Sequence, residues 1–309
     1  MKKVLVLILF GFNSVVHAQY TQEFPILMGD YLGQTPPNDT PIVFAPRFVS
    51  DEFQQHGAPS FSPDGNQVFW QTNKAPTNDK EDWLSSSMTM KRVGNKWTAP
   101  EISPYSSMPF FSPNGQRIYF GSEKNGISFV EKQGNSWGEP KNLGLVARFP
   151  ELKNAFYPSI ASNGTIYFMG YAEGEWNNFG IYRAELINGE YSKPELLPSN
   201  INMHGGLRNW APFIAPDESY LIFCSTRGLP ESDQGDLFVS FRQPNGSWTD
   251  PINMGAPINT GQMERFSSLS PDGKYLFFTR DVAPDYYEDI FWVSASIIDR
   301  LKEKLSLQK

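Results

Sequence analysis

Five times along the chain, a run of aromatic and β-branched residues halts at a tight polar turn and resumes. FSPDGNQVFW (61–70) is followed by FSPNGQRIYF (111–120), IASNGTIYF (160–168), IAPDESYLIF (214–223) and LSPDGKYLFF (269–278). Between the turn positions Gly65, Gly115, Gly164, Glu218 and Gly273 the steps are 50, 49, 54 and 55 residues. Each copy predicts a β-hairpin. Pro presets the first turn angle, Asp or Asn tolerates the second, and Gly supplies the positive φ at the exit. In the third copy Ser162 replaces Pro and the turn is one residue shorter. In the fourth Glu218 replaces Gly, so that turn is expected to relax differently.

A second motif follows the first four hairpins: a Gly turn, an aromatic residue, and Pro three residues later. It pairs Trp97 with Pro100, Trp137 with Pro140, Tyr191 with Pro194 and Trp248 with Pro251. Pro cannot donate to a central ladder, so this segment predicts an outer edge strand. A third strand lies between the motifs (SMTMKRV, ISFVEKQ, GIYRAEL, DLFVSFR, DIFWVSA). Each unit is then four strands, A to D, and such units at this spacing predict the blades of a β-propeller. The fifth unit has a strand C at Asp289 to Ala295 but no aromatic-x-x-Pro segment. TPIVFAP near the N-terminus carries Pro41 and Phe44 in the register of Pro140 and Leu143. The expected fold is therefore all-β, a propeller of five four-stranded blades, with residues near 40–49 supplying the last outer strand. That pairing removes the open edge of the ring. Ile297, Ile298, Leu301 and Leu305 have helical spacing and predict a short C-terminal helix. The expected division is 1–18 signal peptide, 19–39 extension, 40–298 propeller and 299–309 helix or tail.

These hairpins, aromatic strand pairs and blade lengths resemble the WD40-like β-propeller repeats of the TolB type, over roughly residues 40–298. The resemblance implies a periplasmic propeller that binds partner proteins. Related repeats form the propeller domains of prolyl-oligopeptidase-like enzymes, whose chemistry sits in a separate hydrolase domain. Here the blades use nearly the whole mature chain, and no nucleophile elbow is expected. The chain has fewer blades than the TolB propeller, so TolB's partner surface does not carry over. The sialidase Asp-box is a near miss, and the adjacency of Asp and Gly in these turns argues against that family.

Lys2 and Lys3, the apolar run Val4 to Phe12 and Val16-His17-Ala18 form an export signal. The run is too short to span a bilayer and no later stretch is long enough. No Cys follows the signal, so a lipid anchor there is not expected. The expected location is periplasmic or secreted, without stable membrane insertion. Cleavage removes two lysines and no acid, moving the net charge from −7 to −9. That balance argues against a nucleic-acid partner. Aromatic residues are 15% of the chain, with 25 Gly and 25 Pro, which suits many turns and aromatic strands. Cys224 is the only cysteine, so stability rests on an ordinary core. It reads as a small buried hydrophobe.

Asp64, Asn114, Asn163, Asp217 and Asp272 are accounted for by turn chemistry, and Trp97, Trp137, Tyr191 and Trp248 by blade packing. Function is expected where the blades differ. Strands A align on Pro59, Pro109, Pro158, Pro212 and Ser267. The three residues before each then ring the channel mouth, where the D–A and B–C connections meet. This places His56, Trp210, Glu264 and Arg265 at the mouth, with His204 and Arg208 from HGGLRNW and Arg227 and Arg280 from the B–C loops. Convergent Arg with aromatics suits an anionic or sugar-like ligand. The bland alternative is that Glu264, Arg265 and Arg280 are salt bridges tying blades together. The mature chain has two histidines, His56 and His204, so a three-His metal site is impossible. The acidic stretches 281–289 and 78–82 lack calcium-loop spacing and read as solvated loops. No cofactor or metal is expected. The leading expectation is a non-enzymatic propeller binding a protein or glycan ligand through one face, with no catalytic residue assigned. The alternative is a glycoside hydrolase or polysaccharide lyase acting at the mouth, which needs a second carboxylate, Asp281 or Glu52, near Glu264.

Overall fold

The computed structural model describes residues 24–50, 54–74, 84–122, 126–172, 179–203, 208–228, 234–283 and 287–307. They form a propeller of five blades. In the second blade, strands A to D are Phe110–Phe111, Arg117–Ser122, Gly126–Gln133 and Lys141–Asn142. In the fourth they are Asn209–Ile214, Tyr220–Ser225, Asp236–Phe241 and Ile252–Asn253. The fifth blade takes A, B and C from Glu264–Leu269, Tyr275–Ala283 and Tyr287–Ser294. Its outer strand is Ile42–Val43, antiparallel, with Ile42 opposite Trp292 and Val43 opposite Phe291. Phe44 N–H extends the ladder to the Ile290 carbonyl (2.7 Å).

The aromatic-to-Pro segment divides differently from the expectation. Trp97 and Trp137 lie in short arms that lengthen the C–D hairpin, and Tyr191 lies in a small hairpin of its own after strand C. Strand D begins immediately after the Pro, as Glu101–Ile102, Lys141–Asn142, Glu195–Leu196 and Ile252–Asn253. Ile42–Val43 after Pro41 repeats that form. Pro, lacking an N–H, marks the break between the two short ladders.

The A–B turns are closed by side chains as well as by backbone. Ser62 Oγ donates to Asp64 (2.5 Å) and accepts from Asn66 and Gln67 N–H. Ser112 with Asn114 and Ser270 with Asp272 do the same. Glu218 does not relax away from the glycine geometry. It keeps φ +58°, and its carboxylate accepts from Asn163 (2.8 Å) and Tyr167 (2.6 Å) in the third blade. Side-chain bonding between blades offsets the left-handed strain that Gly avoids elsewhere.

The strands A line a narrow shaft. The residue after the aligned Pro or Ser alternates Ser60, Phe110, Ser159, Phe213, Ser268. Ser60 Oγ accepts from Phe111 N–H, Ser159 Oγ accepts from Ile214 N–H, and Ser268 Oγ donates to the Pro59 carbonyl. Each of these bonds joins neighbouring blades. The C-terminal helix, Ser296–Ser306, starts earlier than expected and buries Ile297 and Ile298.

Phe44 is fully buried, edge-on to Phe61, Phe277 and Trp292. Phe44→Ala is expected to lower unfolding free energy by about 3–5 kcal/mol in denaturant titration. Exposure of the fifth blade's edge should also favour self-association, visible by light scattering.

Candidate functional site

Just before the aligned Pro or Ser, strands A of the last three blades carry a bulge: the register shifts between Phe156 and Ser159, Trp210 and Phe213, and Arg265 and Ser268. Pro suits a bulge because nothing there needs its N–H. The residue ahead of it is left-handed in four blades: Met108 (φ +54°), Tyr157 (+49°), Ala211 (+50°) and Phe266 (+49°). Each such residue costs about 1–2 kcal/mol of backbone strain. Met108, Tyr157 and Phe266 thereby line the top of the shaft. The space left inside is about 50 Å³, whereas ligand pockets start near about 300 Å³. The shaft has room for a little water and none for a sugar ring.

At the junction of the fifth and first blades, the mouth carries a buried polar cluster. Arg265 forms an ion pair with Glu288, which is fully buried. The same Glu288 oxygen accepts from Gln54 Nε2 (3.3 Å) and lies 3.6 Å from His56 Nδ1. Asp281 stands opposite Glu288 in the B–C ladder and is 5% exposed. His56 and Tyr157 both pack edge-on against Phe266, at 4.7 and 5.1 Å. Four buried polar atoms here have no hydrogen-bond partner among the described residues: His56 Nδ1, Arg265 Nε, Asp281 Oδ1 and Glu288 Oε2.

Burial and the Arg265 charge hold the His56 imidazole neutral, with its pKa lowered to about 3. Burial raises the Asp281 carboxyl above its ordinary range, against the pull of Arg265 and His56. Burial also raises the Tyr157 hydroxyl and the Cys224 thiol.

The other candidates are held elsewhere. Glu264 is fully buried; its carboxylate accepts from Thr260 Oγ1 (2.6 Å) and Arg280 Nε (2.9 Å). Burial nevertheless raises its pKa. Arg280 also donates to the Pro257 and Ile258 carbonyls and lies over Phe278 and Phe291. Arg227 does the same work in the fourth blade, on the Asn200 and Ile201 carbonyls. Both arginines clamp a D–A connection to its own blade. Trp210 is 9% exposed, in core contact with Met169, Cys224 and Leu237; a Cβ added to Gly235 would lie 2.6 Å from it. Arg208 lies over the Trp210 ring. His204, Glu52 and the stretch 78–82 lie outside the described residues.

The structure thus brings His56 and Arg265 together, and adds Glu288 and Asp281. The 281–289 stretch is not simply a solvated loop, since Asp281 and Glu288 are buried strand residues. Sequence reasoning missed Glu288; the signal that would have found it is alternation, since it shares the inward face of Ile290 and Trp292. GNSWG (134–138) does spell G-x-S-x-G, but Ser136 sits in an exposed hairpin arm and donates to the Gln133 carbonyl. No strand-to-helix elbow forms there. Among the described residues, no three His, Cys, Asp or Glu are grouped to hold a metal, and no helix is long and apolar enough to cross a membrane.

Comparison with known proteins supports the fold. No protein-family model and no curated protein sequence matches the chain. Among solved structures it is similar to a thermostable family-43 glycoside hydrolase, 13% identical, with 79% of this chain aligned to 89% of that one at a TM-score of 0.51. It is also similar to oligogalacturonate lyase from Vibrio parahaemolyticus, at 11% identity, coverage of 78% and 66%, and a TM-score of 0.43. The β-propeller domain of the Trilobed protease from Pyrococcus furiosus matches at 11% identity, coverage of 78% and 68%, and a TM-score of 0.36. The chain spans less than two thirds of some chains it matches, 66% of the lyase and 61% of a hydrazine synthase from Kuenenia stuttgartiensis. At 13% identity the likeness to the hydrolase bears on the fold alone.

His56 and Asp281 give opposite pH signatures. The folded pKa of His56, about 3, lies below the ordinary 6.5. Its contribution to stability is therefore complete above pH 6.5 and is lost as pH falls toward 3. His56→Gln should flatten that part of the acid limb in urea titrations. Asp281 has a raised pKa, so ionising it opposes folding as pH rises; Asp281→Asn should raise stability at pH 7. Trp210→Ala should cost about 3–5 kcal/mol, as a core truncation does.

Proposed function

We propose that the chain is an exported, TolB-type binding propeller that takes a protein or glycan ligand on the face bearing its D–A and B–C connections. The observation that carries this reading is the cluster at the blade 5–blade 1 junction, where buried polar atoms lack partners beside left-handed Phe266 and Tyr157. Native proteins leave few such atoms unsatisfied, and strain collects at functional surfaces. The titratable groups favour binding over catalysis. His56, with its lowered pKa, is a feeble base. Tyr157 and Cys224 are pushed away from their reactive anions, and Glu264 and Glu288 are tied to arginines.

One observation favours a second reading, a carbohydrate-active enzyme. A raised carboxyl pKa, as at Asp281, is what a general acid needs. The two readings separate in one experiment. Ligand capture from a periplasmic extract and from a polysaccharide panel is compared between the wild type, Ser106→Trp at the exposed mouth rim, and Lys132→Trp on the face of the A–B turns. Products are assayed in parallel. Saturable capture lost only in Ser106→Trp, with no product, is expected. Product release abolished by Asp281→Asn would establish the enzyme instead, and capture blocked only by Lys132→Trp would place function on the other face.

A further inference from the structure

We infer that the outer arm of the first blade is a contact face for an anionic lipid surface, held by apolar side chains and lysines with no segment spanning the bilayer. The contact is independent of the ligand proposed for the mouth.

The arm is a three-stranded ladder at the end of the blade opposite the mouth. Strand C runs out to Arg92 and Val93, which pair with Trp97 and Lys96. The N-terminal segment adds the third strand. Met28 stands opposite Lys96, Trp97 N–H donates to the Leu27 carbonyl (3.0 Å), and Gly29 N–H donates to the Asn95 carbonyl (3.1 Å). Alternation then sorts the side chains. Leu27, Trp97 and Arg92 take one face: Trp97 is buried, Leu27 packs against the same core, and Arg92 lies over the Trp97 ring. The other face carries two rows, Met28–Lys96–Val93 and, by continuation of the ladder, Ile26–Thr98–Lys91. On it Ile26, Met28 and Val93 are 71%, 47% and 73% exposed.

Apolar residues exposed singly need no partner, but adjoining ones interleaved with cations are the pattern of a contact face. The charge on this face says which partner fits. Lys91 and Lys96 are exposed, neither has an ion pair among the described residues, and neither row contains an acid. The acid of the arm, Asp30, is closed on Arg92 (2.6 Å). The chain is acidic as a whole, at −7, but charges more than about 8 Å away are largely screened at physiological salt. Lysine stems can lie along the apolar neighbours while their ammonium groups reach lipid phosphates. The apolar tips stand out into solvent, and a bilayer asks only that they enter the headgroup layer with cations beside them. The two-stranded arm of the third blade lacks this chemistry: Ile187, 52% exposed, stands opposite Glu190. Contact through the first arm leaves the mouth turned away from the bilayer.

The test is co-sedimentation of the chain from Gln19 onward, the form export would leave, with vesicles of phosphatidylcholine alone and of phosphatidylcholine with an equal part of phosphatidylglycerol, at low and high salt. Wild type is compared with the pair Lys91→Gln and Lys96→Gln, the pair Met28→Ser and Val93→Ser, and Ile187→Ser, with thermal unfolding confirming the fold of each. Binding confined to the anionic vesicles and released by salt is expected. Each lysine removed should weaken it about fivefold, and the apolar pair at least about tenfold, with no change in Ile187→Ser. Wild type left in the supernatant by anionic vesicles would overturn the inference. So would binding that neither pair weakens, equal binding to neutral vesicles, or as large a loss in Ile187→Ser. Capture of an acidic protein through these residues, by a chain that binds no vesicle, would give the face to a protein partner instead. None of these outcomes touches the mouth, which is read by Ser106→Trp.

Discussion

The fifth blade is made without an outer strand of its own, and the structure depends on how that lack is met. Ile42–Val43 supplies the strand, and Phe44 drives its ring between Phe61 of the first blade and Phe277 and Trp292 of the fifth. Ser50 then exchanges hydrogen bonds with Ile290. The chain runs from that seam into Gln54 and His56, which meet Glu288 of the same strand C. Closure of the ring and construction of the mouth cluster are thus consecutive uses of one stretch of chain.

The shaft sets the second constraint. Five strands A crowd one axis, and large and small side chains must share each layer. The Ser–Phe alternation answers this in the lower layer, and the serines also bond across blade junctions. In the layer above, bulges and left-handed residues turn Met108, Tyr157 and Phe266 toward the axis. The packed shaft leaves chemistry to the rim, where strand ends from different blades can place unlike residues side by side.

Blade count, strand order and closure were legible in the sequence because hairpin, Pro and aromatic signals repeat. Register at the outer edge was less so: Pro marks where a ladder breaks, and one sequence does not tell which side of the break pairs. The turn at Glu218 was misread because its compensation comes from Asn163 and Tyr167, far away in sequence. At the mouth, alignment brought His56 and Arg265 to the same rim. Partner choice was not legible. Glu264 and Arg280 meet across one hairpin, Trp210 turns into the space left by Gly235, and Glu288 becomes visible only when strand C is extended two residues toward the loop.

The central claim is that Arg265 and Glu288 form one buried unit at the seam. A double-mutant cycle in urea tests it, with Arg265→Met, Glu288→Gln and the pair. Either single change leaves a buried charge or polar group uncompensated and should cost about 3–5 kcal/mol. The double variant should cost far less than the sum. Additive losses, with no coupling between the two positions, would contradict the account.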